Sequence, residues 1–184
     1  DRGEVETGDG SDHINISTKT TADSLNNTFN INSDDGADVI SITGNNDSSI
    51  FNIHTGAGDD TVSLQGKYAG ANIFGGSGND IVNAETGNNI YHFGGGQGQD
   101  TFNAGSGLGW ADCIILDSTS SVSITQNDTY SWTLIVDGHS ATLSTDVTGV
   151  INENRLDFAG SANGSLTLHD GSTLNFNNVE HVEW

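Results

Sequence analysis

The residues best placed to do chemistry lie in five hexapeptides: "TGDGSD" (7–12), "SDDGAD" (33–38), "TGAGDD" (55–60), "GGSGND" (75–80) and "GGQGQD" (95–100). In each the fourth position is glycine (Gly10, Gly36, Gly58, Gly78, Gly98) and the sixth is aspartate (Asp12, Asp38, Asp60, Asp80, Asp100). The remaining candidate positions are Thr7 and Asp9, Ser33 and Asp35, Thr55 and Gly56, Gly75 and Gly76, and Gly95 and Gly96. Carboxylates and turn carbonyls are hard oxygen donors, the set that Ca²⁺ prefers. Glycine at the fourth position permits positive φ, so that carbonyls can turn inward, while the aspartate supplies charge. Turns stacked about 4.8 Å apart by strand pairing would share ions between neighbours. Five turns enclose four intervals, which predicts roughly four Ca²⁺ ions along one edge.

Something must hold these turns in register, and the flanking residues supply it. Two residues past each aspartate stands an apolar side chain (Ile14, Ile40, Val62, Val82, Phe102), and four past it another (Ile16, Ile42, Leu64, Ala84, Ala104). That alternation marks a strand leaving each turn. Nine and seven residues before the aspartates come Phe29 and Ile31, Phe51 and Ile53, Ala71 and Ile73, and Tyr91 and Phe93, which predicts a second strand per repeat. The aspartates are spaced 26, 22, 20 and 20 residues apart, with the variation falling in the polar connection after the first strand. A repeat of about 20 residues with two strands and two turns is the pattern of a solenoid, whose coils are stable only when stacked.

Composition restricts the alternatives. The chain has 184 residues, 25 glycines, no proline and no methionine, and a formal charge of −21 with only four basic residues. Its length suits one domain, or a solenoid with a small companion. At 33% hydrophobic with such a charge, it lies near the composition at which burial no longer offsets chain entropy. The carboxylates need neutralising. A competing reading is a metal-free β-helix with solvated aspartates, in which repulsion along the stack goes uncompensated.

The turn-strand units resemble the nonapeptide G-G-x-G-x-D-x-U-x of the RTX (repeats-in-toxin) family, whose β-rolls bind calcium. "GGSGNDIVN" (75–83) matches best, followed by "GGQGQDTFN" (95–103) and "TGAGDDTVS" (55–63), while "SDDGADVIS" (33–41) and "TGDGSDHIN" (7–15) lack one or both leading glycines. The resemblance covers roughly residues 7–104. It implies a secreted bacterial protein, exported unfolded by a type I system and folded outside the cell by calcium. The family usually places nonapeptides back to back, with calcium turns on both edges. Here the opposite connections, such as "TGNNDSS" (43–49) and "ETGNN" (85–89), lack the Gly-x-Asp core. The expectation is therefore a lopsided roll, loaded with calcium on one edge and closed by Asn, Gly and Ser turns on the other.

"GLGWAD" (107–112) resembles a sixth turn with Trp110 in the glycine's place, suited to covering the last coil. From Cys113 onward come short alternating segments, "CIILD", "SVSITQ", "YSWTLIVD", "SATLS", "RLDFAG", "SLTLHD", "STLNFN" and "VEHVEW", separated by turn signals such as "VDGHS", "SANGS" and "HDGST". "HDGS" (169–172) reads as a tight hairpin turn through Asp170 and Gly171. The fold expected is all-β: a right-handed parallel β-roll or β-helix over residues 1–112 with an antiparallel β cap over residues 113–184. The segment 171–184 is similar to segments that follow calcium repeats in RTX proteins.

No zinc-like His/Cys spacing joins His13, His54, His92, His139, His169 and His181, and no nucleophile motif stands out, so the chain is expected not to be an enzyme. A polysaccharide lyase or epimerase-like β-helix needs a basic groove that Arg2, Lys19, Lys67 and Arg155 are too few to build. A carbohydrate-binding module is the other alternative, with Tyr68, Trp110, Tyr130 and Trp132 as sugar-stacking candidates. Against this, Tyr130, Trp132, Leu134 and Val136 share one face of an alternating strand, as core residues do. Cys113, with no partner for an intrachain disulfide, reads as a small buried hydrophobe. No run is long enough for a membrane span, no signal peptide opens the chain, and nucleic acid does not suit this charge. The resulting expectation is a monomeric, secreted, calcium-folded spacing module of a larger bacterial adhesin, toxin or extracellular enzyme. Its expected partners are calcium, neighbouring domains of that protein and, on the alternative reading, a glycan.

Overall fold

The computed structural model describes residues 2–18, 27–45, 48–106 and 111–184. The described residues form seventeen strands and no helix. The first ten strands are β1 (Arg2–Glu6), β2 (His13–Ser17), β3 (Thr28–Asn32), β4 (Val39–Asn45), β5 (Ile50–His54), β6 (Thr61–Lys67), β7 (Gly70–Phe74), β8 (Ile81–Ala84), β9 (Asn88–Phe93) and β10 (Gln99–Asn103). The first eight each pair in parallel with the strand two places on, so β2, β4, β6, β8 and β10 form one row and β1, β3, β5, β7 and β9 the other. This is a parallel β-solenoid of about five coils.

The columns of the solenoid follow from the alternation. In the first row Ile14, Ile40, Val62, Val82 and Phe102 stand in register and point inward, with Ile16, Ile42, Leu64 and Ala84 beside them. In the second, Val5, Ile31, Ile53 and Ile73 stand in register. Most of these side chains are fully buried, each contributing about 1.5–3 kcal/mol of hydrophobic stabilisation. The outward positions carry polar ladders instead, as in Asn30, Asn52 and Asn72, whose amides bond from coil to coil at 2.9 Å.

One upstream register departs from the expected one. Counting back from Asp100 puts Tyr91 in the column of Ala71, but Tyr91 pairs with Ile73, and Asn89 takes the place beside Ala71. His92 stands opposite Phe74 and Thr101 opposite Ile81, so eight residues join the two rows in this coil against six in the one before, and the aspartate count conceals a two-residue offset. The buried Asn89 side chain donates through Nδ2 to the carbonyls of Thr86 and Ala104, while its Oδ1 is left without a partner.

The second half contains β11 (Cys113–Leu116), β12 (Ser123–Asp128), β13 (Ser131–Val136), β14 (His139–Thr145), β15 (Gly149–Asn152), β16 (Arg155–Thr167) and β17 (Thr173–Glu183). β11 pairs in parallel with β9 and so still belongs to the second row. β12, β13 and β14 form an antiparallel meander, in which β13 turns into β14 through Asp137 and Gly138 with φ of 50° and 80°, as a two-residue hairpin requires. Both β14 and β15 pair with β16, which pairs antiparallel with β17. β17 spans both rows of the solenoid, pairing with β10 through 173–177 and with β11 through 181–183. Asn178 makes the corner between them with φ 59°.

"SANGS" is not a turn, as its composition suggests, but the irregular middle of β16, where the pairing shifts register on either side of Ala162. The long partner strand β17 bends there as well, and both strands follow the solenoid's corner. "HDGST" does close the β16–β17 hairpin, with Gly171 at φ 93°. Trp132, Leu134 and Val136 are buried as their alternation implies, whereas Tyr130, at the strand's start, is half exposed. Among the described residues no helix is long and apolar enough to cross a membrane.

Candidate metal-binding turn row

The five turns stack along one edge, and their third and fourth residues carry the contact between coils. The N–H groups of Gly10, Gly36, Gly58 and Gly78 donate to the carbonyls of Asp35, Ala57, Ser77 and Gln97 in the next coil, at 2.6–3.0 Å. All five fourth-position glycines have positive φ, from 94° to 148°. A Cβ on Gly36, Gly58, Gly78 or Gly98 would lie 1.9–2.2 Å from the preceding coil's fourth-position carbonyl oxygen. Glycine is thus required twice, by its dihedral and by the closeness of the stack. The second positions also have positive φ at Gly8, Gly56, Gly76 and Gly96, and at Asp34, whose φ is 63°. Aspartate tolerates this region better than most side chains, which explains why "SDDGAD" stacks without its leading glycines.

The sixth-position aspartates form a ladder within the edge. Asp38, Asp60, Asp80 and Asp100 are essentially inaccessible, and Asp12, in the first coil, is partly so. The backbone N–H of Asp12 donates to Asp38 Oδ1, that of Asp38 to Asp60 Oδ1, that of Asp60 to Asp80 Oδ1 and that of Asp80 to Asp100 Oδ1, at 2.7–3.0 Å. One oxygen of each carboxylate from Asp38 to Asp100 is therefore used in joining coils. The Oδ2 atoms of Asp12, Asp38, Asp60 and Asp80 are buried with no hydrogen-bond partner. Burial, aided by the neighbouring carboxylates, pushes the Asp80 carboxyl up to about 7. Asp100 is pushed up to about 6, chiefly by burial, and Asp60 rises for the same leading reason. An uncompensated row of this kind resists ionisation.

First-position side chains line the same strip. Ser33 and Thr55 are buried, and a hydroxyl ladder runs from Thr7 to the carbonyl of Ser33, from Ser33 to that of Thr55 and from Thr55 to that of Gly75. At Gly75 the ladder stops, because a Cβ there would meet Asp80 Oδ2 at 2.4 Å and the Tyr91 hydroxyl at 2.5 Å. The Tyr91 hydroxyl donates to Asp100 Oδ2 at 2.9 Å and so satisfies the oxygen that the other coils leave unpartnered. Burial first, and then the Asp100 and Asp80 charges, hold its phenol far above the ordinary range. Gly95 and Gly96 do not meet another repeat. The Gly96 N–H donates instead to Asp170 Oδ2 at 2.6 Å and Ser172 Oγ at 3.1 Å, in the hairpin turn that closes over the last coil.

The structure separates some predicted site residues from this row. Asp9 and Asp35 are exposed at third positions, and Asp35 joins the stack through its carbonyl. Asp112 is not a sixth member, since β11 follows the second row and places Asp112 at the opposite edge. There it accepts the Asn89 N–H at 2.6 Å, while its own N–H donates to Glu180 Oε2 at 2.8 Å. The same ladder motif therefore recurs with one Asp and one Glu, and burial together with Glu180 pushes the Asp112 carboxyl up to about 7. Elsewhere that edge is closed by Gly66, Thr86 and Asn45 bonding to the neighbouring coils.

Tyr68 cannot serve as a sugar platform. It is buried, packs edge-on against Phe51 at 5.9 Å, and has its hydroxyl pushed up to about 12 by burial. Trp110 and Lys19 lie outside the described residues. Sequence reasoning missed Tyr91 as a partner of the row, for which the only signal was a tyrosine where other coils carry Phe or Ala. It also missed Asp34, where the signal was an Asp replacing a turn glycine.

Comparison with protein-family models, with curated proteins and with solved structures finds no match to the chain.

The turn row offers donors of the kind that a hard divalent cation takes. Its free donors are carboxylate oxygens, four of them are buried and unpartnered, and the flanking fourth-position carbonyls face the next coil. A cation there would neutralise like charges that the fold has taken out of water.

Proposed function

We propose that this chain is a calcium-binding β-roll module of the RTX type, in which Ca²⁺ held along the turn row drives folding outside the cell. The observation that carries the reading is the buried file of Asp12, Asp38, Asp60 and Asp80, each with one carboxylate oxygen left without a partner. Without a counter-ion, ionising this file in a chain of net charge −21 opposes the compact state. With one, the same carboxylates become the reason the coils close. Asp12, Asp38, Asp60, Asp80 and Asp100, with backbone carbonyls of the same turns, would hold the ions, whose chemistry is charge neutralisation and oxygen coordination. The chain's own contribution is the stacked backbone that fixes the carboxylates of Asp38, Asp60, Asp80 and Asp100 through Oδ1. Ligand binding to the folded state alone stabilises it by mass action, and extracellular calcium sites typically have Kd values of about 10⁻⁴–10⁻³ M. A spacing or folding module of a larger secreted bacterial protein fits this behaviour. The Gly-x-Asp core confined to one edge supports a single ion row of roughly four sites.

The test is far-UV circular dichroism through a calcium titration, with magnesium as control. The expected result is a cooperative coil-to-β transition with calcium, weakened several-fold in Asp80→Asn and unchanged in Glu153→Gln, which alters an exposed carboxylate outside the row. A β signal indifferent to chelator would remove the folding mechanism and leave the metal-free β-helix.

A further inference from the structure

Far from the turn row, β11 and β17 bring together three side chains of different donor chemistry. Cys113 stands directly beside His181 in their parallel pairing, and Glu183 follows two residues on. Ile114 and Val182, the intervening pair, point into the core, so Cys113, His181 and Glu183 share the opposite face. One ligand atom from each of the three lies within 4.8 Å of the others, with His181 Nε2 3.3 Å from Glu183 Oε1. Cys113 is buried, His181 is largely covered and Glu183 is the most accessible.

We propose that Cys113, His181 and Glu183 form a second metal site, selective for a borderline ion such as Zn²⁺ rather than for calcium. Sulfur, imidazole nitrogen and carboxylate oxygen on one face make a donor set that hard cations disfavour and zinc accepts. The three ligands stand on rigid paired strands, 68 and 70 residues apart in sequence, so no short motif announces them. Three protein ligands leave a fourth position for water, and Glu183 also lines an open concavity with Asn152, Asn154, Arg155 and Trp184, which provides an entry route. Arg155 does not hold the carboxylate closed. Its guanidinium lies 3.7 Å from Glu183 Oε1 but 2.7 Å from Asp157 Oδ1, so it keeps its shorter contact when a metal takes Glu183. Binding requires the Cys113 thiol to lose its proton, which passes to solvent as the metal–sulfur bond forms. Such a site would tie the last row of the solenoid to the strand that closes over it.

The experiment uses the whole chain with reduced thiol in saturating calcium, titrated with Co²⁺ as a spectroscopic stand-in for Zn²⁺. The expected result is a thiolate-to-cobalt charge-transfer band that saturates at one ion per chain and is displaced by Zn²⁺. The band should vanish in Cys113→Ser, and affinity should fall by about tenfold or more in His181→Gln. A chain that gives no charge-transfer band, or one whose band is unchanged in His181→Gln, overturns the site. Because Glu183 is accessible, Glu183→Gln offers a variant whose folding is not in question, and an unaltered cobalt affinity there overturns Glu183's part. Asp80→Asn should alter the calcium titration and leave the cobalt band untouched, so the two sites fail separately.

Discussion

The Tyr91 hydroxyl donates to Asp100 Oδ2 at 2.9 Å, closing the free side of the carboxylate at which the turn ladder ends. Removing that hydroxyl in Tyr91→Phe leaves a buried acceptor unsatisfied at nearly constant volume. The expected cost is about 1–3 kcal/mol, read as a lower urea midpoint with an unchanged slope. The same change should raise the Asp100 carboxyl further, because the hydroxyl's hydrogen bond favours its ionised form. A midpoint equal to that of the unaltered chain would show that the contact carries no stability.

The stack's tolerance for side chains separates two kinds of glycine. Gly58 has φ 139° and a Cβ site 1.9 Å from the Gly36 carbonyl oxygen, whereas Gly96 has φ 82° and open space around its Cβ site. Gly58→Ala therefore carries both backbone strain and a clash with main chain that cannot move without breaking the ladder. It should destabilise by about 3 kcal/mol or more, and Gly96→Ala by about 1 kcal/mol. Equal losses in thermal unfolding would mean that the close approach of the coils is not what requires glycine.

Much of this architecture was legible because it repeats. Gly-x-Asp at a fixed interval, followed by apolar residues two and four places on, specified the turn, the strand and the inward face together, and the first-row register matches it from Ile14 to Phe102. Where a count crosses a turn of different length it misleads, as with Tyr91, because strand register is set by the face each side chain must occupy. Asp112 looked like a sixth turn from local spacing, but which edge it joins is decided by the pairing of β11 with β9, a long-range choice. The "SANGS" segment has turn composition yet stays extended, since small polar residues suit a bulged bend as well as a turn. Tyr68, a sugar-stacking candidate by sequence, is covered by packing that local composition does not encode.

The pH dependence of the metal-free chain should run opposite to that of most acidic proteins between mild acid and neutrality. Asp80 and Asp112 are pushed up to about 7 and Asp100 to about 6, above the ordinary carboxylate range. In that window the folded state binds more protons than the unfolded chain, so stability falls as pH rises. Asp137 and Asp146 are lowered, chiefly by hydrogen bonds from Ser120 and Asn163 respectively, and their contribution is lost only as pH falls below the ordinary carboxylate range. With chelator present, the far-UV β signal should be strongest near about pH 4–5 and decline toward 7. Saturating calcium should abolish the decline by holding the carboxylates ionised. A chelated β signal that climbs from pH 5 to 7 would contradict the buried, uncompensated row.

Asp60 allows the two roles of the row to be separated within one side chain. Its Oδ1 accepts the Asp38 N–H at 2.7 Å, and its Oδ2 is buried without a partner. In Asp60→Asn the amide oxygen can keep the ladder bond while the charge disappears, so the coil-to-coil contact survives and the repulsion from Asp38 and Asp80 is relieved. Without metal at pH 7.5 the substitution should therefore stabilise the fold, by roughly 1 kcal/mol, the scale of one relieved buried charge. In calcium the sign reverses, because a carboxylate ligand has been lost, and the calcium midpoint should shift upward several-fold. Far-UV circular dichroism of the two proteins, with chelator in a stabilising osmolyte and through a calcium titration, measures both signs at once. Destabilisation under both conditions would mean that the carboxylate serves the stack alone, and stabilisation under both would mean that calcium does not use it.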